Sequence, residues 1–203
     1  MGEKRQARQG ADVLLQEEPL RFQTRKQVGL LGGNFNPVHL AHLVMADQVQ
    51  NQLGLDKVYL MPTYLPPHVD EKKTISSEHR LAMLELAVAD NPCLDIEPIE
   101  LIRKGKSYTY DTMKALKEAN PDTDYYFIIG GDMVEYLPKW HRIDDLLHLV
   151  QFVGIRRPNY PTESTYPIIW VDVPQMAISS TLIRQKVKSG CSTRYLLPEN
   201  VIN

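Results

Sequence analysis

Residues 27–33 read QVGLLGG, an apolar run too short for a helix and closed by two glycines. After residues 34–38, the fifteen positions HLAHLVMADQVQNQL change period. Leu40, Leu43, Val44, Ala46, Val49 and Leu53 fall on one helical stripe, and Gly54 stops it. The alternation continues along the chain. KVYLMP predicts a strand, TYLPPHVDEKKTIS a Pro-rich charged loop, and SSEHRLAMLELAVAD a Ser-capped helix that ends before Asn91-Pro92. LDIEPIEL reads as strand, TYDTMKALKEAN as helix, and DYYFIIGGD as a second apolar strand closed by a glycine pair. IDDLLHLV predicts a helix, and QFVGIRR and IIWVDV predict strands. SSTLIRQKVKSG predicts a helix capped by Ser and closed by Gly190.

Strands that alternate with helices predict an α/β domain: a Rossmann-like, doubly wound, mostly parallel sheet with helices on both faces. It is expected to occupy residues 27–203, with residues 1–26 as a partly disordered extension in which Pro19 interrupts a short helix. Ligands of such sheets sit beyond the carboxyl ends of the strands. That rule marks residues 32–42, 130–132 and 178–184.

Composition narrows the function classes. The 203 residues are 43% hydrophobic and 24% charged, with a formal net charge of −2, which is ordinary for a soluble domain and argues against a nucleic-acid coat. No apolar run approaches the roughly 18 residues that span a bilayer, and no secretory h-region is visible. Gln6 stands where a myristoylation signal needs Ser or Thr. Cys93 and Cys191 form neither a metal nor a disulfide pattern, so a cytoplasmic setting is expected. No membrane or nucleic-acid partner is expected, and a homo-oligomer is compatible with all of this.

His39 and His42 lie three apart at a helix start, so they share one face. Free backbone N–H groups and the helix dipole add positive potential there, and Gly32 and Gly33 let a ligand approach the backbone. The pattern suits a phosphate. It also suits two surface histidines, or part of a zinc site, although no Glu lies between them and no third ligand is evident. In ISSTLIR, Ser179, Ser180 and Thr181 offer donors for an anion and Arg184 follows one turn later; an ordinary cap with a solvated Arg reads the same way. Asp132 in GGDM is a ribose ligand or a helix cap. Trp140 in PKWHR stacks on a flat ring or belongs to the core. KSYTYDT opens another helix with Tyr108, Thr109 and Asp111.

Together, GGNFNPVHLAH, PPH, SYTYDT, GGDM, Trp140 and ISSTLIR, in this order and spacing over about residues 28–203, resemble the bacterial nicotinate-nucleotide adenylyltransferases. The resemblance implies transfer of the adenylyl group of ATP, accompanied by Mg²⁺, to nicotinate mononucleotide. It implies catalytic roles for His39, His42 and Arg184. ATP and its phosphates would meet Gly32, Gly33, Asn34, Phe35, Gly130, Asp132, Ile178, Ser179, Ser180 and Thr181. Tyr108, Thr109, Asp111 and Trp140 would receive the nicotinate nucleotide. No metal ligand on the protein is implied. Three departures stand out. Ala41 replaces a glycine of the family's H-x-G-H. Val69 stands where a basic residue commonly follows PPH, with Lys72 or Lys73 as substitutes. The chain stops at ENVIN, where members usually continue a little into a last helix. Alternative readings are an adenylyltransferase for pantetheine phosphate or nicotinamide mononucleotide, and a non-catalytic nucleotide-binding module.

Overall fold

The computed structural model describes residues 25–67, 74–158, 160 and 162–202. The expectations for residues 1–24, and for Lys72 and Lys73, lie outside the described residues. Six strands, β1 (Lys26–Gly33), β2 (Lys57–Pro62), β3 (Leu94–Ile96), β4 (Thr123–Gly130), β5 (Val150–Ile155) and β6 (Ile168–Val171), form one sheet in the order β3-β2-β1-β4-β5-β6. Every pairing is parallel, so the sheet is wholly rather than mostly parallel among the described residues.

Two cores cover the two faces, which is why the strands read as continuous apolar runs instead of alternating ones. On one face Leu31, Val58, Leu60, Ile128 and Val153 pack under Ala46 and Val49 of α1 (Leu40–Leu53) and Leu84 of α2 (Ser77–Val88). On the other, Val28, Leu30, Phe127 and Phe152 pack under a further set of helices. Those are α4 (Thr109–Ala119), which supplies Met113 and Leu116, and α6 (Ile143–Leu146), which supplies Leu146. Each fully buried aliphatic or Phe side chain contributes roughly 1.5–3 kcal/mol. Gly54 ends α1 in the left-handed conformation (φ 61°), a geometry that carries no Cβ penalty in glycine. No helix among the described residues is long and apolar enough to cross a membrane.

One expected strand divides. LDIEPIEL keeps only Leu94–Ile96 as β3; the rest is a helix, α3 (Ile99–Arg103). Pro98 has no N–H for the ladder, and the Glu97 carboxylate accepts the Ile99 N–H at 3.0 Å, which starts the helix. Two further short elements follow β4: α5 (Gly131–Val134) and a 3₁₀ turn, Leu137–Lys139, that delivers Trp140. The sequence pattern alone left both as loop. Toward the C-terminus, α7 (Ser180–Lys188) carries the second anion motif and α8 (Glu199–Ile202) packs near α2.

Candidate active site

The strand order reverses between β1 and β4, and their carboxyl ends open there side by side. The turn after β1 is pinned by side chains from distant helices. Arg80 of α2, 2% exposed, donates from Nη1 to the Asn34 carbonyl at 2.9 Å and to the Thr63 carbonyl at 2.8 Å. Arg184 of α7 donates to the Asn36 carbonyl at 2.6 Å, and the Ser180 hydroxyl donates to the Pro37 carbonyl at 2.8 Å. The two motifs proposed to hold anions are therefore bonded to each other, by pairs 143 and 148 residues apart in sequence. Phe35 adopts a positive φ of 46° and turns inward, fully buried, with its ring against the edge of His42 at 4.9 Å. A Cβ on Gly33 would lie 2.9 Å from that ring, so only glycine fits without a shift.

His39 is the N-cap of α1, and its backbone N–H donates to Nδ1 of His42 at 3.2 Å. This bond leaves the proton of the neutral His42 ring on Nε2. The two imidazoles stack, with centroids 3.7 Å apart. Nδ1 of His39 is buried with no hydrogen-bond partner. Burial lowers His39 to a pKa of about 4, opposed by a backbone hydrogen bond. Burial, then the charge of His39, then Arg157 lower His42 to about 3. Both rings are neutral donors at pH 7.

Those values carry a consequence for stability. Each folded pKa lies below the ordinary value of about 6.5, so the folded state resists protonation that the unfolded chain accepts. The contribution is complete above about pH 6.5 and is lost as pH falls toward the folded values, by up to about 1.4 kcal/mol per pH unit for each ring. Glu97 and Glu100, raised by burial, act in the opposite sense, so the useful comparison is between proteins. Urea unfolding from pH 7 to 5 is expected to show a shallower decline for His42→Gln than for wild type. Parallel declines would contradict the burial argument.

Two clefts flank the histidines. The first, about 370 Å³, is lined by Gly32, Gly33, Tyr108, Thr109, Trp140 and Asp132, among others. The second, about 590 Å³, runs past His39 and Ala41 to Ile178, Ser179 and Ser180. His42, Met45 and Arg157 line both. In the first cleft Trp140 is held edge-on by Phe127 and Phe152, each 5.9 Å away. Ring contacts join the start of α4 to the turn before α6: Tyr108 against His141 at 4.6 Å, and Arg142 over Tyr110 at 4.1 Å. Ala41 presents a methyl group to the second cleft. Ala41→Gly is expected to change KM for ATP only a few-fold, within the ~1–3 kcal/mol of one methyl-sized contact. A hundred-fold gain in kcat/KM would mark the alanine as a lesion.

Not every expected residue reaches a cleft wall. Thr181 and Arg184 are not among the residues lining either cleft; Arg184 Nη2 bonds Thr181 Oγ1 at 3.1 Å. Asp111, in the first turn of α4, lines neither cleft. Asn34 donates from its side chain to Thr74 at 3.2 Å. Four residues that the sequence reading did not single out do matter: Arg80, which pins the turn, and Glu100, His141 and Arg157, which line the first cleft. The signal for Arg157 was available, because IRR ends a strand on the ligand side of the sheet. Glu100 sits inside the segment misread as strand.

The cytidylyltransferase-like family matches residues 30–186. A protein of Streptococcus pneumoniae named probable nicotinate-nucleotide adenylyltransferase is 62% identical over 187 residues, covering 92% of this chain and 90% of the relative. The chain belongs to the nicotinate-nucleotide adenylyltransferase family. A Lactococcus lactis relative of the same name is also 62% identical, over 88% of this chain and 92% of its own. Among solved structures, Plasmodium falciparum nicotinic acid mononucleotide adenylyltransferase complexed with NaAD has the same fold, with a TM-score of 0.72. It is 18% identical over 88% of this chain and 93% of that one. In this chain the parallel sheet and the bonds between the turn after β1 and α7 bring the two clefts together at His42.

Proposed function

We infer that this chain transfers the adenylyl group of ATP to nicotinate mononucleotide, giving nicotinate adenine dinucleotide and pyrophosphate in NAD biosynthesis. The observation that carries this reading is the junction of the two clefts. The groups common to both are an imidazole, a thioether and a guanidinium, with no Ser, Cys or carboxylate among them. A junction of that kind suits direct transfer between two bound substrates rather than a covalent enzyme intermediate. The acceptor is a phosphate monoester, largely ionised at pH 7 because its second pKa is about 6. It needs alignment and charge compensation, not a general base.

In this reading ATP occupies the second cleft and nicotinate mononucleotide the first. An acceptor phosphate oxygen attacks the α-phosphorus in line, the bond from that phosphorus to the bridging oxygen breaks, and pyrophosphate leaves with the electron pair. The Nε2–H of His42 and the ring of His39 donate to the α-phosphate oxygens as charge grows. The N-terminus of α7, with Ser179 and Ser180, receives the β- and γ-phosphates; the Ser180 hydroxyl and Arg184 tie that terminus to the turn after β1, and Thr181 braces Arg184. Asp132 accepts from a ribose hydroxyl. The family uses a divalent metal with ATP, and Mg²⁺ supplies charge neutralisation on the triphosphate. Among the described residues no cluster of three His, Cys, Asp or Glu side chains is arranged to hold a metal. Consumption of ATP and two free thiols, Cys93 and Cys191, support a cytoplasmic setting.

The test is pyrophosphate release from ATP and Mg²⁺ with nicotinate mononucleotide, nicotinamide mononucleotide and pantetheine phosphate in turn, with products identified by mass. Nicotinate adenine dinucleotide as the dominant product is expected. Turnover with pantetheine phosphate alone, or none with any acceptor, would overturn the assignment.

A further inference from the structure

Arg157 follows the carboxyl end of β5, which β4 separates from β1 and the turn that bears the histidines. Of the three residues that line both clefts, Met45 is apolar and His42 is neutral in the free protein. Arg157 is thus the one full positive charge common to both clefts among the described residues. It lies close enough to His42 to oppose protonation of the ring. Its current partner holds it weakly. Nε is 3.4 Å from Oδ1 of Asp132, and that oxygen is buried with no hydrogen-bond partner. Gly130 makes the arrangement possible. A Cβ there would lie 3.4 Å from both Nε and Nη2 of Arg157, and would overlap the Asp132 carboxylate.

We propose that Arg157 is a catalytic residue that binds the phosphoryl group passing between the two clefts, while Asp132 holds it at the junction between turnovers. The inference rests on the adenylyl-transfer reading above. A phosphate anion at the junction offers the guanidinium two acceptor oxygens, where Asp132 offers one long contact. The exchange also frees Asp132 for a sugar hydroxyl. A charge that meets both the attacking and the leaving side stabilises the transition state more than either bound substrate, so its loss falls on kcat.

The experiment is steady-state kinetics of Arg157→Ala and Arg157→Lys with each substrate varied at saturating levels of the other. Arg157→Ala is expected to lose about 10²-fold in kcat with both KM values within a few-fold. Arg157→Lys, a point charge without the fork, should recover only part of that. Methylguanidinium should restore activity to Arg157→Ala but not to wild type. A half-exposed arginine with one long ion pair has little stability to lose, so Tm should hold; were the alanine variant to misfold, the lysine variant carries the same kcat test. A wild-type kcat in either variant, or a loss confined to one KM, would overturn the proposal. Wild-type protein that forms no nicotinate adenine dinucleotide would instead overturn the assigned reaction.

Discussion

His42→Ala is expected to lower kcat by about 10²–10³-fold, the scale of removing one positioned donor to a developing anion, with Tm within a few degrees of wild type. The ring is oriented before substrate arrives. Its Nδ1 is occupied by the His39 N–H at 3.2 Å, His39 stacks on one face, and Phe35 makes a T-shaped contact with the ring. Loss of the imidazole removes a donor at the junction of the clefts without opening the sheet, because the α1 contacts to the core come from Ala46 and Val49. KM for the nicotinate nucleotide should move little, since the proposed site for its ring and carboxylate, at Trp140 and Thr109, lies elsewhere in the first cleft. Circular dichroism and single-turnover kinetics on one preparation check this. A collapse in Tm, with activity proportional to folded fraction, would show that the ring is a packing element.

The second large effect concerns acid against amide. Nicotinate mononucleotide is expected to exceed nicotinamide mononucleotide by at least about 10²-fold in kcat/KM. The first-turn N–H groups of α4, at Thr109, Tyr110 and Asp111, have no intrahelical acceptor and add positive dipole. A carboxylate satisfies two such donors, whereas an amide turned toward them leaves its own NH₂ facing N–H groups. Glu100 is the nearby acceptor that could rescue the amide, but it is engaged. Its Oε1 accepts from Thr112 at 3.0 Å, and a second bond ties it to Ser107. Trp140 serves both rings alike, so Trp140→Ala should weaken both substrates without narrowing the gap. Measurement of kcat/KM for each mononucleotide at saturating ATP and Mg²⁺ decides it. Equal values would mean that the pyridine ring lies elsewhere.

How much of this could be read from the residues follows from the range of the interactions involved. The β1–α1 unit was legible because its signals are local: a short apolar run, two glycines, a 3.6-residue stripe and a glycine stop. The α7 unit was legible for the same reason, since a Ser cap and Gly190 bound it. LDIEPIEL was misjudged because an apolar-polar alternation over eight residues fits a strand, while a proline and one carboxylate-to-backbone bond decide for a helix after Ile96. Arg80 was not singled out from the sequence. Its burial depends on two carbonyls, at Asn34 and Thr63, that no local pattern places beside it.

The sequence by itself determined the alternation of strands and helices, the positions of the two helix starts proposed to hold anions, and the resemblance that names the reaction. These depend on periodicity, capping and motif order, which act within a few residues. Only the tertiary structure decided that the two anion motifs touch, through Arg184 and Ser180 on the turn after β1. It alone decided that Arg157 shares a junction with His42, and that both imidazoles are neutral. Those facts arise from strand order and burial. Parallel crossover connections bring the ends of β1, β4 and β5 together across more than a hundred residues, and desolvation at that meeting point is a property of the packed neighbours rather than of the histidines themselves.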